Sequence, residues 1–159
     1  MGRQTIISVI GTSSASPEIY EIARSVGRLL AREGCIVVCG GRGGVMEGVC
    51  RGVSEEGGFS VGLLPGGREE ANPYVSLPLS TGLGEARNVA VASAGDAVIS
   101  IGGAFGTLSE IGFALRQGKA VIALRSWEIH EGHGESSHLV FASTPEEAVR
   151  IALEKAGGR

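Results

Sequence analysis

The chain has 159 residues, 27 of them glycine, and a formal net charge of -3. That length suits one domain around a single core, and with aromatics at only 4% the core must be aliphatic. No run of Lys or Arg forms the basic stripe of a nucleic-acid groove, so no nucleic-acid partner is expected. No apolar stretch approaches the length needed to cross a bilayer, so no membrane partner is expected either.

The three cysteines, Cys35, Cys39 and Cys50, are an odd set at non-metal spacing. They read as buried, reduced thiols. Together with the lack of a signal-like leader, they give a cytoplasmic expectation.

Residues 5–10 are a nearly continuous apolar run, the pattern of a strand buried on both faces of a parallel sheet. A loop of small residues from Gly11 follows. Ser16-Pro17-Glu18 then reads as an N-cap, a proline at the first helical position and an acidic first turn. Apolar residues at helical spacing continue to Glu33, and Gly34 stops that helix. Residues 35–39 form a second strand, 40–44 a glycine turn, 45–56 a helix and 59–64 a third strand. Residues 65–78 hold three prolines and two glycines, which predicts a long irregular loop. A helix over 85–93, a strand over 97–101, a second glycine turn over 102–106 and a helix over 107–117 come next. Residues 120–124 and 139–142 complete the strands. Thr144-Pro145-Glu146-Glu147 reads as a capping box that opens the last helix.

Strands and helices alternate throughout. The expected fold is α/β: a single-domain, Rossmann-like, doubly wound parallel sheet over residues 1–159, with helices on both faces. Such folds bind ligands beyond the carboxyl ends of their strands. Gly11 and both glycine turns fall on that edge.

The second turn, Gly102-Gly103-Ala104-Phe105-Gly106-Thr107, runs from strand into helix and is followed by Glu110. Glycines let a ligand approach the backbone, and the free N–H groups of a first helical turn suit a phosphate. Thr107 and Glu110 also have the spacing of a capping box, so the residues alone allow capping or catalysis. Gly40-Gly41-Arg42-Gly43-Gly44 repeats the glycine argument at the second strand. It matches neither the dinucleotide fingerprint nor the P-loop. Arg42 there is either solvated or a phosphate ligand. Arg87 reads as a surface ion pair with Glu85 or Asp96, or as a bidentate fork for phosphate or carboxylate. His130, His133 and His138 match no standard metal motif and read as a solvated loop, so no metal site is expected.

With these residues in view, the sequence resembles the LOG (Lonely Guy) family, long mislabelled as lysine decarboxylases, and within it the molybdenum-cofactor carrier-like branch. The LOG signature P-G-G-x-G-T-x-x-E is similar to residues 102–110, with Gly102 for Pro and Ala104 for the second Gly. Arg87 occupies the place of the family's catalytic Arg, and Asp96 that of its acidic residue before the strand. Gly40 to Met46 resembles the family's glycine run. Gly82 to Asn88, and Asn72-Pro73-Tyr74 before it, resemble the carrier-like branch. The LOG run Met-His-x-Arg-Lys is replaced by Gly84-Glu85-Ala86-Arg87-Asn88, without its His and Lys.

The resemblance implies a small phosphorylated ligand, either molybdenum cofactor or a nucleoside monophosphate, and a homo-oligomer, dimer or tetramer, with residues 89–94 as a plausible interface. It implies catalytic roles for Arg87 and Glu110 if the chain is a phosphoribohydrolase, which splits a nucleoside 5'-monophosphate into base and ribose 5-phosphate. Arg87 would then keep Glu110 ionised. The carrier, the hydrolase and a lapsed regulatory site are the three readings. Lysine decarboxylation is excluded, because neither lysine, Lys119 nor Lys155, sits in a glycine turn to carry pyridoxal phosphate.

Overall fold

The computed structural model describes residues 2–129 and 138–158. These form a seven-stranded parallel sheet of β1 (Ile6–Gly11), β2 (Ile36–Cys39), β3 (Phe59–Leu64), β4 (Leu77–Ser80), β5 (Ala97–Ile101), β6 (Val121–Leu124) and β7 (Leu139–Ala142). The order across the sheet is β4-β3-β2-β1-β5-β6-β7, and every neighbouring pair is parallel. The helices are α1 (Pro17–Arg32), α2 (Val45–Glu55), α3 (Arg87–Ala94), α4 (Phe105–Arg116) and α5 (Pro145–Gly157).

Side chains alternate across each strand, which explains the two cores. Ala97, Ile99 and Ile101 of β5 pack towards α1, α2 and α5. Val98 packs the other way, with Val91 and Ala92 of α3 and Ile111 and Ala114 of α4. The doubly wound α/β architecture is therefore as expected. The chain winds outward from β1 in both directions, and β1 pairs with β2 on one side and β5 on the other. That reversal creates a crevice at the carboxyl ends of the strands.

Two expectations need correction. The stretch 65–78 is not all loop: Leu77–Ser80 is an edge strand paired with β3, and Arg68–Glu70 is a single 3-10 turn. Pro78 has no N–H to donate, and only an edge position tolerates that. The Thr144 cap forms, with its hydroxyl accepting from Glu147 N–H at 3.1 Å. However, the Glu147 carboxylate returns to Ser143 N–H, one residue upstream of the cap. In residues 89–94, Val91 and Ala92 lie in the core, Val89 and Ala90 are half-buried and Ala94 is exposed.

Helices α1 and α2 cross with almost no side chain between them. A Cβ on Gly27 would lie 2.2 Å from Val49 O, and one on Gly52 would lie 2.0 Å from Arg24 O. Around this crossing Glu55 gathers Arg24 at 2.7 Å, Arg28 at 2.6 Å and Arg51 at 3.3 Å. The hydrogen bond from Arg24, seconded by Arg28, draws the Glu55 carboxyl down to about 2, against a smaller opposing effect of burial.

Candidate functional site

A cleft of about 200 Å³ opens at the β1 reversal. Its walls come from four places in the chain: the ends of β1 and β2, the start of α2, the start of α3, and the first turns of α4. Of the residues expected to form a site, Gly11, Gly40, Arg42, Arg87, Gly106, Thr107 and Glu110 line this cleft. Gly41, Gly43, Gly44, Gly102, Gly103 and Phe105 do not line it; they shape the loops behind and beside it. Gly41 and Gly102 hold left-handed backbone at φ 78° and 64°, which a residue with a Cβ rarely adopts.

Arg87 opens α3 and is only 5% exposed. It forms neither of the expected ion pairs. Among the described residues no carboxylate pairs with it, and Asp96 lies at the opposite edge of the sheet, holding Arg3 at 2.8 Å and accepting from Ile6 N–H at 2.9 Å. One terminal nitrogen of Arg87 donates to the Asn88 side chain. Its Nε has no hydrogen-bond partner among the described residues. The guanidinium lies against Gly40, where a Cβ would come within 2.8 Å of Nη1 and 2.5 Å of Met46 Sδ. Gly40 is thus a close-approach glycine. A buried charged donor without an acceptor is costly, and such groups in folded proteins ordinarily have partners.

Glu110 sits in the second turn of α4 and is 6% exposed. Two expectations about it are overturned. The helix begins at Phe105 with Ala104 as its N-cap, so Thr107 is already inside the helix and cannot cap it. And Arg87 does not keep the carboxyl ionised. Burial pushes the Glu110 pKa up to about 8; the Arg87 charge opposes this, and Glu85 adds to it. Glu110 thus holds its proton far more tightly than an ordinary carboxyl.

The helix starts differ in a telling way. Ser16 caps α1 and Thr144 caps α5 with hydroxyl oxygens. The helices that start at the cleft, α2 at Gly44 and α4 at Ala104, have no side-chain cap. In α4 the first intrahelical bond is Leu108 N–H to Ala104 O at 3.0 Å. The N–H groups of Phe105, Gly106 and Thr107 are left without helical acceptors at the positive end of the dipole. Arg42, half-exposed at the rim, reaches Glu70 at only 3.9 Å.

Sequence reasoning missed Ser13, Met46 and Asn88 in the lining. Asn88 and Met46 had a signal, their places in the carrier-like run and in the family's glycine run; Ser13 had none. Of the histidines, His130 and His133 lie outside the described residues. Among the described residues no cluster of His, Cys, Asp or Glu has the makings of a metal site. The three cysteines are free and buried, with Cys39 and Cys50 sulfurs 3.4 Å apart.

The SLOG cluster 4 family model matches residues 4–149. The chain belongs to the SLOG cluster 4 family. A protein of Archaeoglobus fulgidus is 40% identical over 147 residues, covering 92% of this chain and 93% of its own. The molybdenum cofactor binding protein of Rippkaea orientalis superposes with a TM-score of 0.86 at 31% identity, covering 96% of this chain and 97% of its own. The molybdenum cofactor carrier protein of Chlamydomonas reinhardtii gives 0.86 at 26% identity, covering 98% and 99%. This SLOG cluster 4 protein therefore shares its whole architecture with cofactor-binding neighbours. No helix among its described residues is long and apolar enough to cross a membrane.

Proposed function

We propose that the chain binds a small phosphorylated, nucleotide-like or pterin ligand in the β1 cleft and acts as a molybdenum-cofactor carrier-like protein. One observation carries this reading: Arg87 is buried in the cleft wall with its Nε unpartnered. An anionic oxygen would complete it. The uncapped start of α4 adds backbone donors and Thr107 adds a hydroxyl, a donor set that fits a phosphate. The carrier proteins among the structural neighbours support the cargo. Molybdenum cofactor carries its own phosphate, so the same donors would hold it.

A phosphoribohydrolase is the second reading, favoured by the strongly displaced Glu110 carboxyl facing the same cleft. Activating water or stabilising a ribosyl cation requires the Glu110 anion. Hydrolysis through that role would therefore climb as pH rises through about 8.

The test is incubation with AMP and related monophosphates. Tight binding without release of free base supports the carrier. Release that disappears in Glu110→Ala and Arg87→Ala supports the hydrolase. If no phosphorylated ligand shifts the Tm, both readings fail.

A further inference from the structure

Phe105 is 83% exposed, although it is an apolar aromatic in a chain with few of them. It stands between Ala104 and Gly106, both of which line the cleft. Its ring is not loose. Trp127 packs against it with centroids 6.0 Å apart and planes tilted by 31°. Trp127 is itself tied down, its Nε1–H donating to Ala104 O at 3.1 Å. Gly103 makes room for this arrangement, since a Cβ there would fall 2.8 Å from Trp127 Nε1 and 2.9 Å from Cδ1. Three successive residues of the loop thus serve one end: a bare backbone under the indole, a carbonyl that fixes it, and a ring held out at the lip. An exposed ring whose orientation is already restrained loses little entropy when something flat lies on it.

We propose that Phe105, buttressed by Trp127, is the stacking platform for the planar heteroaromatic ring of the ligand whose phosphate the cleft receives. This rests on the phosphate-site reading and adds to it the residue that selects for a ring. Stacking on an aromatic face tolerates any flat base or pterin. Selectivity would therefore be for the presence of a ring more than for its identity.

Ribose 5-phosphate and AMP separate the two claims, because they share the phosphate and differ by the base. AMP is expected to bind about tenfold more tightly than ribose 5-phosphate by calorimetry. AMP alone should also alter the fluorescence of Trp127, the single tryptophan of the chain. In Phe105→Ser, AMP affinity should fall to that of ribose 5-phosphate, which itself stays unchanged; Phe105→Tyr should restore the difference. Equal binding of the two ligands by the unaltered protein overturns the platform and leaves the phosphate site standing. A Phe105→Ser variant that changes oligomeric state while AMP affinity holds assigns the ring to a protein contact and also overturns it. Failure of both ligands to bind removes the phosphate site and the platform together.

Discussion

Two groups of arginine and glutamate in this molecule are built from the same side chains and behave in opposite ways. On the outer surface of the α1–α2 crossing, Glu55 is surrounded by Arg24, Arg28 and Arg51, and its pKa is drawn down to about 2. In the cleft, Arg87 has an idle Nε and Glu110 is pushed up to about 8. The first group satisfies itself. The second is left open, which is what a site for an external anion requires. Proximity of opposite charges is thus a poor guide to role; what separates the two is whether every donor has found an acceptor within the fold.

The largest expected effect concerns Glu110. An acid whose folded-state pKa lies above its unfolded value contributes most below the unfolded value, near 4.5, and loses that contribution as pH rises to about 8. The unaltered protein should therefore lose on the order of 4 kcal/mol between pH 4 and pH 9 from this group alone. Glu110→Gln should flatten that decline in urea titrations at the two pH values. A decline that persists unchanged in the variant would mean the carboxyl ionises freely and the cleft is wetter than its burial implies.

Next comes Arg87. Arg87→Met keeps the bulk and removes the unpartnered donor, so affinity for AMP should drop about 100-fold while the Tm holds or rises. An unchanged affinity would make Arg87 a structural residue like Arg24. The smallest effect belongs to Glu55. Its folded pKa is depressed, so its contribution is present above pH 4.5 and lost as pH falls towards 2. Glu55→Gln should lower the Tm only slightly at neutral pH, and added salt should erase the difference. Ligand affinity should not move.

Much of the fold is legible in the sequence because its central strands are buried on both faces. Residues 97–101 are apolar but for Ser100, residues 121–124 are wholly apolar, and both fold as strands buried at every position. Edge strand β4 is not legible, since Leu77-Pro78-Leu79-Ser80 has one proline and mostly exposed positions. The loops of the cleft announce themselves through their glycines. The chemistry inside does not. The spacing of Thr107 and Glu110 suggests a cap, yet the helix starts two residues earlier at Phe105. The state of Glu110 follows from burial produced by α3 and α4 together, which no local pattern records. The residues alone leave Arg87 as an ion pair or an anion fork, and the resemblance points to the site; its unpartnered Nε is a fact of three dimensions.

The glycine crossing of α1 and α2 carries a warning for anyone who surveys this protein by saturation mutagenesis. Gly27 and Gly52 face carbonyl oxygens only 2.2 Å and 2.0 Å from where an added carbon would sit, more than an ångström inside ordinary contact. Such positions tolerate almost no replacement, although they belong to the helix crossing and line no part of the cleft. Ranked by intolerance alone, they would stand beside Arg87 and be mistaken for part of the binding surface. Measuring abundance and ligand occupancy separately for each variant would pull the two classes apart: the crossing glycines would vanish from the soluble pool, and Arg87 variants would remain in it, folded and empty.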